Sequence, residues 1–165
     1  MSPKRQIHEP GHQRKFLVVV DDTPECDRAI YYAARRAART GSGVVMLGIL
    51  ELEEVRQQWL GVADLMRAEA TEAMQEKFDH FSARTRQIAG VTPESTIGEG
   101  EKAEVLLSVI EQDRDIAVLV LAAGTGSDGP GPLVGALAGP AAARFPIPVT
   151  IVPGALSDEE LDALA

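Results

Sequence analysis

The chain has 165 residues, of which 45% are hydrophobic but only 4% aromatic, and its net charge is −9. These values fit a single domain with an aliphatic core. They disfavour nucleic acid as a partner, because phosphate contacts need clustered Lys and Arg.

Cys26 is the only cysteine, so no internal disulfide can form, and no apolar run approaches the ~20 residues of a membrane-spanning helix. The N-terminus carries no secretory apolar segment, and the chain reads as cytoplasmic. Residues 1–14 are polar and interrupted by Pro3, Pro10 and Gly11, which predicts a disordered arm. Within it, His8-Glu9-Pro10-Gly11-His12 matches the letters of H-E-x-x-H. That zinc motif needs a helix to put both histidines on one face, and Pro-Gly forbids the helix.

A domain is expected over residues 15–153. Phe16–Val20 is an apolar run closed by Asp21-Asp22-Thr23, a buried strand and its turn. Thr23 is expected to cap a helix that begins near Pro24 and runs to Thr40, with Cys26, Ile30, Ala33 and Ala37 inward. In that setting Cys26 reads as a packing residue. Val44–Leu50 is a second strand. A charged stretch, Glu51–Gly61, carries the only tryptophan, Trp59. A long helical pattern to about Ile88 follows, with a core-facing stripe of Met66, Ala70, Met74, Phe78 and Phe81 and with His80 at the surface.

Thr92–Gly98 reads as a weaker third strand, and the turn at Glu99-Gly100 leads into a helix with Ala103, Leu106, Leu107 and Ile110 inward. Ile116–Ala123 is a fourth strand, buried on both faces. After it come a glycine-rich turn, a helix from about Leu133 to Arg144, and a fifth strand, Pro148–Val152. Residues 154–165 form a tail in which Ser157 and Glu160 spell a capping box and Leu156 and Leu161 a hydrophobic staple. So short a helix must dock to persist. Strands alternating with helices predict an α/β domain with one open five-stranded parallel sheet and helices on both faces.

Gly124-Thr125-Gly126-Ser127-Asp128-Gly129 spells G-x-G-x-x-G, but not as a dinucleotide fingerprint. It lies in the last βαβ unit, Pro130-Gly131-Pro132 follows where a helix should open, and no acidic residue follows until Asp158. Walker A fails for want of Gly-Lys-Ser/Thr. Two readings remain. Free loop N–H groups could cradle an anion, or the glycines could simply let the next helix approach the sheet. No Lys or Arg occurs between Arg114 and Arg144, and Asp128 adds a negative charge.

The segments LVVVDDT, VVMLGILE, TIGEG-x-x-AEVLL and PIPVTIVP together resemble the universal stress protein family over about Lys15–Pro153. The resemblance implies strand order 3-2-1-4-5 and a homodimer paired through the last strand, here Pro148–Val152. It implies a regulatory domain, in some members binding ATP or another adenine nucleotide, with at most weak ATP hydrolysis. The family's strand-one aspartate falls on Asp21, and its adenine-contacting apolar residue on Ile49. Its phosphate motif is G-x-x-G, nine residues, then G-S or G-T. The motif falls on Ala123, Gly126, Gly135 and Ala136, so a glycine, a hydroxyl and one residue of spacing are missing. Gly124 and Thr125 lie inside it.

The expected crevice lies between Asp21 and the Thr125–Gly126 turn, with weak binding that favours AMP or adenosine over ATP unless Mg2+ offsets the charge. Gly135 is expected to be a close-contact position at the start of its helix. An interaction module that has lost nucleotide binding is one rival reading. An adenylating enzyme of related α/β type is another. No Ser-His-Asp set, paired catalytic carboxylates or metal cluster stands at recognisable spacing.

Overall fold

A computed structural model describes residues 4–52 and 60–165; Trp59 and most of the Glu51–Gly61 stretch lie outside them. Five parallel strands form one sheet: β1 (Lys15–Val20), β2 (Gly43–Leu50), β3 (Glu94–Glu99), β4 (Ile116–Ala123) and β5 (Val149–Pro153), in the order β3-β2-β1-β4-β5. The helices are α1 (Cys26–Thr40), α2 (Leu60–Ala89), α3 (Lys102–Gln112), α4 (Pro132–Leu137) and α5 (Asp158–Leu164). A 3-10 turn, Pro140–Arg144, follows α4.

Strand alternation divides the core. Phe16, Val18, Val20 and Met46 point to one face, where they pack with Ile30, Ala33, Met74, Phe78 and Phe81 of α1 and α2 and Leu161 of α5. Leu17, Val19, Val45, Leu47, Leu119 and Leu121 point to the other, against Val105, Leu106 and Ile110 of α3 and Val134 and Leu137 of α4. Gly48 exists for the first face, since a Cβ there would fall 2.5 Å from Met74 Cγ. The stripe expected along α2 is buried at Met74, Phe78 and Phe81 but not at Met66, which stays 37% exposed. β5 is an outer strand with Ile151 also partly exposed.

Four expectations need correction. The arm is tied down over residues 4–14. Arg5 Nη1 donates to the carbonyls of Ile110, Asp113 and Ile116 at 2.7, 3.0 and 3.2 Å, and Gln6 N donates to Arg114 O at 3.0 Å. One guanidinium gathers three carbonyls around the α3–β4 turn, a gain that composition does not reveal.

Thr23 does not cap α1. Its N–H and hydroxyl both go to Asp21 Oδ1, at 2.9 and 2.5 Å, and the cap position is Glu25. The helix expected from Leu133 to Arg144 is cut after one and a half turns, because Gly139-Pro140 cannot continue it. Gly135 is not in close contact, for a Cβ there would meet nothing within 4 Å.

The tail forms α5 with its capping box: Ser157 Oγ accepts from Glu160 N at 3.1 Å, and Ser157 N donates to Glu160 Oε1 at 3.3 Å. It docks on α1 of its own chain. Leu161 is fully buried and Leu156 packs on the same cluster. Ion pairs reinforce the dock, with Arg28 Nη2 at 2.7 Å from Asp158 Oδ1 and Arg35 Nε at 2.7 Å from Asp162 Oδ1. Tyr31 Oη donates to Asp162 Oδ1 at 2.8 Å.

Candidate functional site

Crossovers in a parallel sheet return every strand in the same sense, so all carboxyl ends open onto one rim. The sheet order puts the turns after β1 and β4 side by side on that rim. A cleft of about 150 Å³ lies between them, lined by Val19, Asp21, Cys26, Lys102, Leu121 and Pro132 among others. Next to it is a shallower, open hollow of about 980 Å³ formed by the loop 124–132, the first turn of α1 and Gly154. Thr23, Glu25, Pro130, Gly131 and Pro132 border both, so the two adjoin.

The expected site residues divide among these spaces. Asp21 lines the cleft, with one oxygen held by the Thr23 turn. Gly124, Thr125, Gly126 and Gly135 line the hollow. Ala123 ends β4, where its carbonyl accepts from Gly154 N at 3.0 Å. Ile49 packs against the α3/α4 core face and lines neither space. Ala136 opens on the opposite side of α4, into an apolar groove of about 530 Å³ with Leu106, Leu107, Leu133, Leu137 and Phe145.

The glycine loop is partly spent on itself. Gly124 N donates to Pro130 O at 2.9 Å, Gly129 N to Gly126 O at 3.3 Å and Gly135 N to Gly131 O at 2.9 Å. Gly131 opens α4 at φ 113°, ψ 158°, a conformation that only glycine adopts readily. Glu25 is pressed onto this loop, with its Oε1 2.9 Å from where a Gly124 Cβ would stand. The loop is thus a tight turn at Gly124, packed on Glu25 and on its own Gly129 carbonyl rather than on the following helix, and it presents Thr125 and Gly126 to an open space.

Two cations reach the rim that the loop sequence lacks. Lys102 enters the cleft from the first turn of α3, with Nζ 3.5 Å from Glu51 Oε1. Arg28 borders the hollow from α1. Sequence reasoning missed both because it counted charges within the loop. The signal was available, since every helix that follows a parallel strand begins on the same rim and its first turn belongs to the site.

Arg28 is not free. Its Nη1 donates to Leu156 O at 3.0 Å, and its Nη2 to Asp27 Oδ2 at 2.5 Å and Asp158 Oδ1 at 2.7 Å. Arg84 also binds Asp27, through Nε and through Nη2 at 3.0 Å. Burial pushes the Asp27 carboxyl up, but hydrogen bonds from Arg84 and Arg28 outweigh it and hold the group below the usual carboxylate range. The guanidiniums of Arg28, Arg35 and Arg84 lie 5.4, 5.8 and 5.6 Å from the centre of the Tyr31 ring.

Cys26, at the floor of the cleft, is a poor nucleophile. Burial pushes its thiol up to about 12, and Sγ lies 3.7 Å from Val19 O. Outside the rim, His12 Nδ1 is 2.8 Å from Asp115 Oδ1 and His8 is exposed. Among the described residues no group of three or more His, Cys, Asp or Glu could hold a metal ion, and no helix is long and apolar enough to cross a membrane.

No curated protein matches the chain. Solved structures do. A universal stress protein from Lactobacillus plantarum is 20% identical, with a TM-score of 0.60 over 84% of this chain and 97% of that one. A universal stress protein family protein from Arabidopsis thaliana with AMP bound is 19% identical, with a TM-score of 0.56 over 88% and 94%. The universal stress protein from Archaeoglobus fulgidus in complex with dAMP is 16% identical, with a TM-score of 0.54 over 84% and 97%. These likenesses carry the fold. The family model described as "Universal stress protein family" matches residues 13–153, and with it the chain belongs to the universal stress protein family.

Proposed function

We propose that this chain is a regulatory domain that binds an adenine nucleoside or monophosphate weakly on the carboxyl rim of β1 and β4. The observation that carries the reading is that the Asp21 cleft adjoins the hollow over Thr125 and Gly126. At about 150 Å³ the cleft has room for one ring system, not a whole nucleotide. A base or ribose there would meet the Asp21 carboxylate and Lys102, with its phosphate directed over the glycine loop. The AMP and dAMP held by the Arabidopsis and Archaeoglobus proteins belong to this ligand class.

Charge sets the preference. Among the described residues, Glu25, Asp27 and Asp128 border the hollow against Arg28 alone, and Arg28 is already paired. Two of the loop's N–H groups, those of Gly124 and Gly129, are spent internally. Each added phosphate charge raises the repulsion, so adenosine and AMP are favoured over ATP, and Mg2+ narrows the gap when present. Calorimetric titration of adenosine, AMP and ATP, with and without Mg2+, tests this. The expected order is adenosine and AMP ahead of metal-free ATP. Tight metal-free ATP binding would overturn the charge argument.

A second reading has its own observation. The groove beside Ala136 is apolar, and Leu107 on its wall is 44% exposed. If none of the three ligands binds, an interaction module of the same fold takes first place. In either case β5 is the outer strand of the sheet, and pairing with a second copy through Pro148–Val152 would satisfy its free edge. Light scattering at micromolar concentration is expected to give twice the chain mass; a monomer would exclude the pairing.

A further inference from the structure

Arg28 faces two ways. Among the described residues it is the sole cation on the wall of the hollow, and it is also the residue by which α1 holds the start of α5. Its side chain is 15% exposed, so it serves both from a nearly fixed position. We propose that Arg28 is the residue that distinguishes a phosphorylated ligand from a bare nucleoside, and that Asp158 of α5 withholds it, so that phosphate binding and docking of the C-terminal helix oppose one another. The inference rests on the nucleotide reading of the rim.

Three observations support the competition. First, Arg28 Nη2 contacts two carboxylates at once, Asp27 at 2.5 Å and Asp158 at 2.7 Å, so both of its hydrogens are engaged and a phosphate that takes Nη2 displaces one of them. Second, the two are held unequally. Asp27 keeps a two-point contact with Arg84 even without Arg28, and its side chain is 26% exposed. Asp158 is 50% exposed, and its other contact is Arg84 Nη2 at 4.0 Å. Water takes back a half-exposed carboxylate at least cost, so Asp158 is the one that yields.

Third, α5 is seven residues long and cannot persist undocked. Its hold consists of Leu161, the Asp162 contacts to Arg35 and Tyr31, the contact of Arg39 with the carbonyls of Asp162 and Ala165, and the Arg28 contacts. Losing the Arg28 contacts to Asp158 and Leu156 frees the amino end of α5, where its capping box stands. A signal at the rim thereby reaches the chain's last element on the opposite side of α1. Linkage makes the effect reciprocal: whatever loosens α5 must strengthen phosphate binding by the same factor.

The test uses the full-length chain and two variants that loosen the start of α5 by different means. Asp158→Asn removes the competing charge, and Leu161→Ala removes the apolar anchor. Adenosine and AMP are titrated into all three proteins, and amide hydrogen exchange at Leu161 and Ala165 is followed in the parent with each ligand. The expected result is a rise in AMP affinity of about fivefold or more in both variants, at the lower end of ordinary coupling between sites, with adenosine affinity unchanged. AMP, and not adenosine, should speed exchange in α5. If adenosine binds but the AMP-to-adenosine ratio is the same in all three proteins, Arg28 and Asp158 do not compete and the inference fails alone. If neither ligand binds any of the three, the nucleotide reading fails and takes the inference with it.

Discussion

A Cβ built on Gly154 would stand 2.3 Å from Ala123 O and 3.2 Å from Glu25 Cβ. There the β5 turn presses on the β4 end and on Glu25 at the start of α1, through a backbone carbonyl and a Cβ that cannot swing aside. Gly154→Ala is therefore expected to lower stability by roughly 1–3 kcal/mol through overpacking, read from thermal melts. Gly135 is the opposite case: it is helical and open. Gly135→Ala is expected to raise stability by about 0.5–1 kcal/mol, the helix-propensity difference; a loss of that size would mean that α4 rests on something at that point. Sequence spacing could not separate the two glycines, because the contact at Gly154 is made across strands and the freedom at Gly135 comes from the early end of α4. Asp21 was legible as the close of an apolar run. Lys102 and Arg28 were not, since each lies far in sequence from the glycine loop whose rim it shares.

Elements were legible where one signal dominated. The strands follow from short apolar runs bounded by turn residues, the long α2 from helical spacing, and the capping box of α5 from four letters. The helix after the glycine loop was overrun because small residues continue past Gly139 while the Pro140 ring halts the ladder. What the letters of α5 do not contain is its receptor, the arginines of α1 and Arg84 of α2. Asp27 anchors that receptor, and its depressed carboxyl sets a pH dependence. A group whose folded-state value lies below its unfolded value adds stability at higher pH and loses it as pH falls through the folded value. Asp27→Asn should thus melt below the parent at pH 7, and the difference should shrink below about pH 4 as the parent's carboxyl protonates. A gap that stayed constant down to pH 3 would show that the charge on Asp27 contributes nothing.

At the scale of the molecule, the alternation of strand and helix was enough for the parallel sheet, and the family's strand order matched the observed one. The site was half legible. Residues adjacent to a strand end could be named, whereas those delivered by a crossover helix could not, because their place depends on how far each helix travels before the chain turns back.

The division of the core has a practical consequence for observing this protein. On the α1/α2 face the buried side chains include Phe16, Tyr31, Phe78 and Phe81, so methyl groups there feel aromatic ring currents. On the α3/α4 face every fully buried member is aliphatic, with Phe145 the one partly buried aromatic packed against it. Proton chemical shifts will spread widely for the first face and crowd together for the second. Leu121 and Val134, which line the cleft, belong to the crowded set. Ligand-induced changes at the rim are therefore best followed with selectively labelled leucine and valine methyls, and Ala29, on the cleft wall from the aromatic face, supplies a resolved companion probe.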